Sequence, residues 1–302
     1  MVIRIPISHY FNFLKRFAGL PIHKKKSELR YVLLFFLKQI WNKLVPSLPL
    51  QVKLPFGSKW LAYNDAPGDQ IFSGRLENEW ILVNRFLKKG MTVIDVGAHH
   101  GFYSLLASTK VGLDGQVISF EPSPKEREKL KYHLILNNCS NVRVEGYALG
   151  KYNGETKFFI ANGRNSGFSS LRRPKINGQI RTIYVPIKTL DKYLQGRNIK
   201  KVDFIKIDAE GAELEILEGA KNLLKRHPRP FILCEVSDKR TNAWNYKAKE
   251  IIMLLLNYNF ILIRFLPNGK LHTIKTDQNN YNYNLFAFPK ESIERIIQEE
   301  KY

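Results

Sequence analysis

The sequence predicts an α/β protein built on a mostly parallel β-sheet flanked by helices. Two observations lead to this prediction. After Gly90, short apolar runs alternate with longer segments of helical periodicity, which is the pattern of parallel strands joined by helices. The first run, Thr92–Val96, also leads directly into a glycine turn and a helix, as the first strand of such a sheet does when it binds a ligand.

The elements follow one another in a regular order. Six apolar runs are interpreted as strands: Thr92–Val96, Gln116–Phe120, Val142–Glu145, Phe204–Ile207, Phe231–Val236 and Phe260–Arg264. Four segments between them are interpreted as helices: Phe102–Lys110, Pro124–Asn137, Ala212–Lys225 and Ala243–Asn257. The second helix has a clear start, with Ser123 as its N-cap, Pro124 at the first position and Glu126 three residues after the cap.

One segment interrupts this rhythm. Lys157–Ile160 and Thr182–Ile187 alternate like the two strands of a hairpin, around a loop rich in Gly, Asn and Ser. The segment 156–190 holds seven basic residues and no acid. We expect it to be an insertion that lies over the sheet edge.

Composition limits the classes of protein to be considered. The 302 residues carry a formal net charge of +21, and 44% of them are hydrophobic, which excludes wholesale disorder. The charge favours contact with an anionic partner, such as nucleic acid, a membrane surface or a phosphorylated substrate. Cys139 and Cys234 are too few for a disulfide framework or a zinc site. With no apolar run of spanning length and no signal-peptide pattern, we expect a cytoplasmic protein.

Charge and periodicity together predict four regions. They are a basic, aromatic-rich helical extension (1–60), a lead-in helix region (61–90), the main domain (91–290, with a hairpin insertion at about 156–188) and a C-terminal helix or tail (291–302).

The extension carries eleven basic residues against one acid, Glu28. Its apolar residues recur at helical spacing: Leu33, Leu34, Leu37, Ile40, Trp41 and Leu44. Such a helix suits either an anionic membrane surface, which residues 1–45 would contact peripherally, or packing on the main domain.

The glycine turn indicates a nucleoside-type ligand. Asp95-Val-Gly-Ala-His-His-Gly101 takes a strand into a tight turn that lets backbone approach a ligand. Glu121, at the end of the next strand, is the expected partner of ribose hydroxyls. His99 stands where a dinucleotide site needs its second glycine, so a cofactor without pyrophosphate, such as S-adenosylmethionine, fits better than a nicotinamide.

A third group of acids follows the strand Phe204–Ile207. The strand delivers Asp208 to the ligand-binding edge of the sheet, with Glu210 and Glu213 close behind. Glu213 also suits the first turn of a helix, where an acid complements the helix dipole. For Asp208 we expect a functional role.

These motifs, taken together, resemble the FkbM family of methyltransferases. The resemblance covers about residues 77 to 288 and rests on the glycine turn through Ser104, Phe120-Glu-Pro122, Lys188-Thr-Leu-Asp191 and Ile205-Lys-Ile-Asp-Ala-Glu-Gly-Ala-Glu213. It implies a class I, Rossmann-like, S-adenosylmethionine-dependent fold with an antiparallel seventh strand, and O-methylation of sugars, glycolipids or natural products. The chain departs from the family pattern at His99, where Asn is usual, and at Ala209, where Val is usual.

The resemblance and the motifs together define the expected site. The residues expected to bind the cofactor are Asp95, Gly97, Ala98, His99, Gly101, Tyr103, Glu121, Pro122, Tyr147 and Asp208. Methyl transfer to a hydroxyl needs alignment and a proton acceptor, for which Asp208 is the first choice and Glu210 the second. A divalent cation held by these carboxylates could instead acidify the hydroxyl, but we assign no metal.

Two features leave alternatives open. His99 either contacts the cofactor or acts as a base, or it merely fills the turn; His99 and His100 should diverge and so not share a metal. Arg164, Arg172 and Arg173 of the insertion either bind an anionic or lipid-linked glycan acceptor, or belong to a solvated basic loop.

Other classes of function remain. An RNA ribose methyltransferase would explain the net charge, although amino-group methylation motifs are missing and nucleic acid is not the partner we expect. A nicotinamide oxidoreductase would prefer a different cofactor. A non-catalytic module would bind cofactor without turnover, which the intact acids argue against.

Overall fold

The computed structural model describes residues 33, 37, 40, 41, 43, 48–73, 76–266, 269–278 and 280–292, with the side chains of residues 73, 163 and 164 left out. The chain divides into two compact units. One comprises Met1–Val52 and Leu61–Leu76, and the other comprises Lys53–Trp60 and Glu77–Tyr302.

The first unit contains the described residues of the basic extension up to Val52. Five of its positions are helical: Leu33, Leu37, Ile40, Trp41 and Lys43. Leu34, Leu44 and the basic residues before them lie outside the described residues. Trp41 Nε1 donates to the Leu48 carbonyl over 2.9 Å. Helix α1 (Ala66–Ser73) begins after Asp65, whose carboxylate accepts the Gly68 N–H over 3.0 Å.

Two short strands were not predicted. β1 (Leu50–Lys53) and β2 (Lys59–Ala62) fall in a region for which the sequence predicted only helix. Both alternate between more and less exposed residues, the period of a strand. The region predicted as a helical extension therefore also contains strand.

The second unit carries the main domain. Its strands in the main sheet are β3 (Thr92–Val96), β4 (Gln116–Phe120), β5 (Val142–Glu145), β9 (Phe204–Ile207), β10 (Phe231–Ser237), β11 (Phe260–Phe265), β12 (Leu271–Thr273) and β13 (Asn282–Pro289). Its helices are α2 (Glu79–Phe86), α3 (Phe102–Val111), α4 (Pro124–Leu136), α5 (Leu190–Gly196), α6 (Glu213–Glu218), α7 (Lys221–Lys225), α8 (Asp238–Thr241) and α9 (Ala248–Asn257). A short 3₁₀ turn, Lys290–Ser292, is the last described element, and the rest of the predicted C-terminal tail lies beyond it.

The sheet order is β12-β11-β13-β10-β9-β3-β4-β5. Five adjacent strands are parallel to one another: β10, β9, β3, β4 and β5. β13 runs antiparallel between β10 and β11. The predicted mostly parallel sheet with one inserted antiparallel strand is confirmed. β3 and β9 are adjacent although about a hundred residues separate them, so their carboxyl ends meet at one edge.

The insertion forms its own small sheet. β7 (Gly154–Ala161) pairs antiparallel with β8 (Ile180–Lys188), and β6 (Ala148–Leu149) pairs parallel with β8. The predicted hairpin is confirmed. A 3₁₀ helix, Gly163–Phe168, follows β7.

Three details of the predicted helices differ. The segment predicted as one helix over 212–225 is two, because Gly219 packs so tightly that a Cβ there would lie 2.1 Å from the Gly150 carbonyl oxygen. The last helix begins at Ala248 rather than Ala243. Ser123 does precede α4, but its side chain makes no cap hydrogen bond.

Two apolar layers cover the sheet. Ile94 and Ile205 point into one layer, and their neighbours Val93 and Phe204 point into the other. This alternation buries both faces of the central strands, as a parallel sheet requires. Polar side chains are thereby directed to the strand ends. Among the described residues, no helix is long and apolar enough to cross a membrane.

Candidate active site

The turn after β3 approaches the turn after β9 closely. Gly97 has φ +71°, and a Cβ there would lie 1.9 Å from the Asp208 carbonyl oxygen. The N–H groups of Gly97 and Ala98 both donate to the Phe120 carbonyl, at 3.0 and 3.1 Å. Only glycine fits this position, so the two loops form one edge of the site.

Glu121 lies buried beside this turn. Its Oε2 accepts the His99 N–H and its Oε1 accepts the Ser123 N–H, each over 2.8 Å. Although Glu121 lies at a strand end, it is not a solvated carboxylate, since the residue is 5% exposed. Burial raises the pKa of Glu121 to about 7, although the two N–H bonds oppose this. A carboxylate has about four acceptor positions, so further hydrogen-bond donors can be accommodated.

Asp95 provides a second buried acid at the same edge. Ser104 Oγ donates to Asp95 Oδ2 over 2.6 Å, while Oδ1 has no hydrogen-bond partner among the described residues. Lys206 Nζ lies 3.8 Å from Oδ1. Burial raises the pKa of Asp95, against the effect of Lys206. An unsatisfied buried carboxylate oxygen is costly, and a cationic or hydrogen-bond-donating ligand would relieve that cost.

Lys206 ties the two loops together. Its ammonium donates to the Gly97 carbonyl over 3.1 Å and lies 3.3 Å from Asp208 Oδ2. Burial alone would lower the pKa of Lys206, but the charges of Asp208 and Asp95 outweigh it and raise that pKa. Lys206 is therefore a permanent cation, and Asp208 is engaged by it.

A cluster of carboxyl groups follows β9 and β10. One carboxylate oxygen from each of Asp208, Glu210 and Glu235 lies within 4.8 Å of the other two. Arg240 Nε lies 2.9 Å from Glu210 Oε2 and 3.7 Å from Glu235 Oε1. Burial, and then the charge of Asp208, raise the pKa of Glu210 to about 8 and that of Glu235 to about 9. Lys206 and Arg240 already supply positive charge to this cluster, and we assign it no metal.

Glu210 is held in an unusual backbone conformation. Its φ is +55°, which is uncommon for a residue other than glycine or asparagine. Ser170 Oγ and Trp244 Nε1 both donate to its carbonyl oxygen, at 2.9 and 3.2 Å. A Cβ on the next residue, Gly211, would lie 2.4 Å from Trp244 Nε1. Strain of this kind persists only where the surroundings enforce it, and it is common at active sites.

Glu213 has a structural position. It is 1% exposed, and its Oε1 accepts the N–H groups of Ala209 and Gly211 at 2.8 and 3.2 Å. Its place in the first turn of α6 agrees with the helix-start role considered for it. Burial raises its pKa to about 7.

His99 and His100 do not diverge as expected. Their rings stack at a centroid distance of 4.1 Å, because His99 adopts a φ of +49° that turns its side chain back over its neighbour. The same φ is tolerated by asparagine, the residue usual in the family at this position. His99 Nε2 lies 3.3 Å from Ser166 Oγ of the insertion.

His100 belongs to a buried ionic network. Glu126 Oε2 contacts the His100 ring and lies 3.2 Å from Lys129 Nζ. Although burial opposes it, the hydrogen bond from His100 and the charge of Lys129 lower the pKa of Glu126 to about 2. His133, to which the sequence assigned no role, binds the His100 carbonyl over 2.7 Å and stacks on Trp60 at 4.0 Å. Lys129 supplies the positive charge here, so this group too is assigned no metal.

The arginines of the insertion are placed differently. Arg172 lies over the Trp244 ring, at 4.8 Å from its centroid, and therefore beside the loop that carries Glu210. Arg173 is exposed to solvent. The side chain of Arg164 lies outside the described residues.

The remaining expected cofactor residues line or support the turn. The Tyr103 ring lies 5.6 Å from Lys206 Nζ, and its hydroxyl is buried without a partner among the described residues. A Cβ on Gly101 would lie 2.3 Å from Leu130 Cδ1, so Gly101 allows α3 to pack on α4. Pro122 accepts a hydrogen bond from Arg127 over 3.0 Å, and Lys188 Nζ lies over the Tyr147 ring at 4.0 Å.

Three residues of the site were missed from sequence. Glu235 and Arg240 complete the carboxyl cluster, and Trp244 supports it. Glu235 could have been found, because it lies near the carboxyl end of the strand next to β9. Arg240 and Trp244 carried no such signal, since they lie in and after a short helix that the sequence did not predict.

Apart from the edge strand β12, the described sheet has seven strands, and the last of them in the chain, β13, lies antiparallel between β10 and β11. This strand order is that of the Rossmann-like class I methyltransferases, which use S-adenosylmethionine. The glycine turn and the buried acid Glu121 follow β3 and β4, at the carboxyl ends of two neighbouring strands of this sheet. The chain belongs to the FkbM methyltransferase family, since the family model described as "Methyltransferase FkbM domain" matches residues 95–262.

Three curated relatives are similar over part of their length. "Methyltransferase 1" of Beauveria bassiana is 23% identical over 42% of this chain and 57% of that protein. "2-O-methyltransferase NoeI" of Sinorhizobium fredii is 23% identical over 62% of this chain and 79% of that protein. "Hexuronic acid methyltransferase AglP" of Haloferax volcanii is 27% identical over 43% of this chain and 50% of that protein. The matches thus span little more than half of the first relative and half of the third.

A solved O-methyltransferase of Bacillus cereus, in complex with SAH, is 14% identical with a TM-score of 0.40, covering 69% of this chain and 78% of that one.

Proposed function

We propose that this protein transfers a methyl group from S-adenosylmethionine to a hydroxyl of a sugar-containing acceptor. The observation that carries the proposal is the convergence of two buried acids, Glu121 and Asp95, the second with an unpaired oxygen, with a carboxyl cluster at one sheet edge. The printed names of two relatives, a 2-O-methyltransferase and a hexuronic acid methyltransferase, support a sugar hydroxyl as the acceptor.

The residues at the cofactor position fit S-adenosylmethionine. Glu121 would hold the ribose hydroxyls, since both of its oxygens keep acceptor capacity beside a buried turn. Asp95 Oδ1 would take up a positive or hydrogen-bond-donating group of the methionine tail. Gly97, Ala98, His99 and Tyr103 would line the same turn. When bound, the cofactor supplies an activated methyl group.

The chain's own residues then have to orient the acceptor and remove one proton. The cluster of Asp208 and Glu210 would contact the acceptor hydroxyl, because Asp208 is the most exposed member, at 37%, and Glu210 is fixed by Arg240. His99 would position the insertion through Ser166 rather than act as a base. A hydroxyl is a weak nucleophile, so both alignment and a proton acceptor contribute to the rate.

We further propose that the acceptor is anionic. Arg172 is stacked on Trp244 beside the catalytic loop, and an arginine held in this way binds a carboxylate or phosphate with little loss of side-chain freedom. Arg173 and the five other basic residues of the insertion would add an attractive potential. A uronic acid or a phosphate-linked glycan has the required chemistry.

The basic extension is proposed to contact an anionic membrane. Leu33, Leu37 and Ile40 lie at helical spacing and are at least half exposed, and the surrounding residues 1–60 carry a large positive excess. An exposed apolar stripe with basic flanks suits a lipid surface on which a lipid-linked glycan would also lie.

The test uses S-adenosylmethionine with a tritiated methyl group and the full chain. The acceptors are a methyl glucuronoside, the matching neutral methyl glucoside, an oligouronate and an RNA oligonucleotide. We expect transfer to the uronates and weaker transfer to the neutral glucoside. Transfer to RNA alone would show a ribose methyltransferase, and cofactor binding with no transfer to any acceptor would favour a non-catalytic module.

A further inference from the structure

We propose that Glu235, a residue outside the motifs considered so far, is a further catalytic residue that takes the proton of the acceptor hydroxyl. This inference rests on the proposed O-methyltransferase function and deepens it. It follows from the partners of the three clustered carboxyl groups.

Two of the three carboxyl groups are already engaged by cations. Asp208 Oδ2 lies 3.3 Å from the Lys206 ammonium, and Glu210 Oε2 lies 2.9 Å from Arg240 Nε. An ion pair at this distance holds a carboxyl group in a fixed orientation. Asp208 and Glu210 are therefore suited to orienting the acceptor.

Glu235 differs from both. Its Oε1 is 3.7 Å from Arg240 Nε, beyond hydrogen-bond distance, and its Oε2 has no hydrogen-bond partner among the described residues. The side chain as a whole is 20% exposed, while Oε2 itself is buried. Among the three described carboxyl groups, only Glu235 has an oxygen that is buried without a hydrogen-bond partner, and a new hydrogen bond to this group would relieve that cost.

The charges around Glu235 favour a bound proton. Burial raises its pKa to about 9, and the negative charges of Asp208, Glu213 and Glu210 act in the same direction, while Arg240 opposes them. Asp208 and Glu213 come from the turn after β9 and the start of α6, and Arg240 comes from α8. Without ligands, Glu235 thus holds its proton near neutral pH. A positive charge brought to the cluster would lower its pKa and release that proton.

Bound S-adenosylmethionine would bring such a positive charge in its sulfonium group. Its binding would therefore deprotonate Glu235 and make that carboxylate available as a base. The acceptor oxygen then forms its bond to the methyl carbon while the carbon–sulfur bond breaks and leaves its electron pair on sulfur. The O–H bond breaks and its proton passes to the Glu235 carboxylate. The products are the methyl ether, a neutral thioether and a protonated Glu235.

Calorimetry can detect the released proton without an acceptor. The ligands are sinefungin, which carries an ammonium in place of the sulfonium, and S-adenosylhomocysteine, which is neutral at that position. Each is titrated into the full chain at near-neutral pH in phosphate and in Tris, two buffers with different ionisation enthalpies. We expect sinefungin to release about half a proton or more, and S-adenosylhomocysteine to release little.

Three variants assign the proton. Glu235→Gln should lose most of the sinefungin-linked release while keeping its affinity for S-adenosylhomocysteine and its melting temperature. Glu210→Gln tests the neighbouring acid and should keep most of the release. Glu218→Gln, a glutamate elsewhere on α6, is the matched control and should behave as the wild type.

Turnover gives the second measurement. On a uronate acceptor, Glu235→Gln should lower kcat by about a hundredfold and abolish the rise of rate with pH, whereas Glu235→Asp should retain part of both. Equal proton release by wild type and Glu235→Gln, or an unchanged pH profile, would overturn the assignment and leave the proposed function intact. Failure of both ligands to bind wild type would instead refute the proposed function.

Discussion

Gly97 and Asp208 lie in contact through their backbones, so closely that a Cβ on Gly97 would be 1.9 Å from the Asp208 carbonyl oxygen. This contact joins the turn after β3 to the turn after β9, and Lys206 reinforces it by binding both the Gly97 carbonyl and Asp208. A substitution in one of these loops should therefore also alter the position of the other.

Gly97→Ala tests this contact. The new methyl group meets backbone that cannot move aside cheaply, in a conformation that L-residues avoid, so the free energy of unfolding should fall by about 2 kcal/mol or more. Gly90→Ala is the matched control, because Gly90 also has positive φ, +78°, but has nothing within 4 Å of its Cβ position. Denaturant melts of both variants separate the free-energy cost of the positive φ from the cost of the steric contact with Asp208. Equal losses would mean that the close approach is unimportant.

The pH dependence of stability should reflect the buried acids. The pKa values of Glu121, Glu210 and Glu235 are raised from 4.5 to about 7, 8 and 9. The folded chain then holds more protons than the unfolded chain above pH 4.5, so the free energy of unfolding should fall as the pH rises toward 9.

Urea melts across this range measure that slope. Glu235→Gln should make the decline shallower at its alkaline end, and Glu218→Gln should leave it unchanged. Glu126 acts oppositely, because its pKa is lowered to about 2; its contribution is present above pH 4.5 and is lost as the pH falls toward 2. A stability that rises steadily toward pH 9 would contradict the burial of these acids.

Arg172 should determine the preference for charged acceptors. Arg172→Ala removes a cation held over Trp244, so the KM for a uronate acceptor should rise about tenfold while that for the neutral glucoside changes little. Arg181→Ala removes an equally basic, exposed residue of the same hairpin and serves as the control. Parallel changes for both acceptors would exclude a charge-specific role.

The apolar stripe of the extension should govern binding to vesicles. Replacing Leu33, Leu37 and Ile40 by serine removes apolar area that would enter the lipid interface, so flotation with anionic vesicles at low salt should be lost. Leu113→Ser, at a still more exposed leucine of the other unit, should float as the wild type does. Failure of the wild type to float at low salt would end the membrane proposal.

Most strands of the sheet and several residues of the candidate site could be predicted from the sequence. Short apolar runs located the parallel strands, because a strand that is buried on both faces consists almost entirely of apolar residues. The glycine turn, Glu121 and Asp208 were identifiable because strand ends at one edge converge. Glu235 lies on a neighbouring strand of the same edge, and the same rule would have included it.

What was missed depended on backbone conformation and distant packing. The stacking of His99 on His100 results from a positive φ that residue type alone does not specify. The break between α6 and α7 results from Gly219 meeting Gly150, residues nearly seventy positions apart. Trp244 was assigned to a helix by periodicity, whereas its indole N–H binds the Glu210 carbonyl.

The most direct test of the central claim is the affinity for S-adenosylhomocysteine, measured by calorimetry on wild type, Glu121→Ala and Glu128→Ala. Glu128 is an exposed acid on α4 and controls for the loss of one negative charge. A charge-assisted pair contributes about 1.5–3 kcal/mol, so Glu121→Ala should bind about tenfold more weakly or worse, with Glu128→Ala unchanged. Wild-type affinity in a folded Glu121→Ala variant, or no binding by the wild type, would contradict the account.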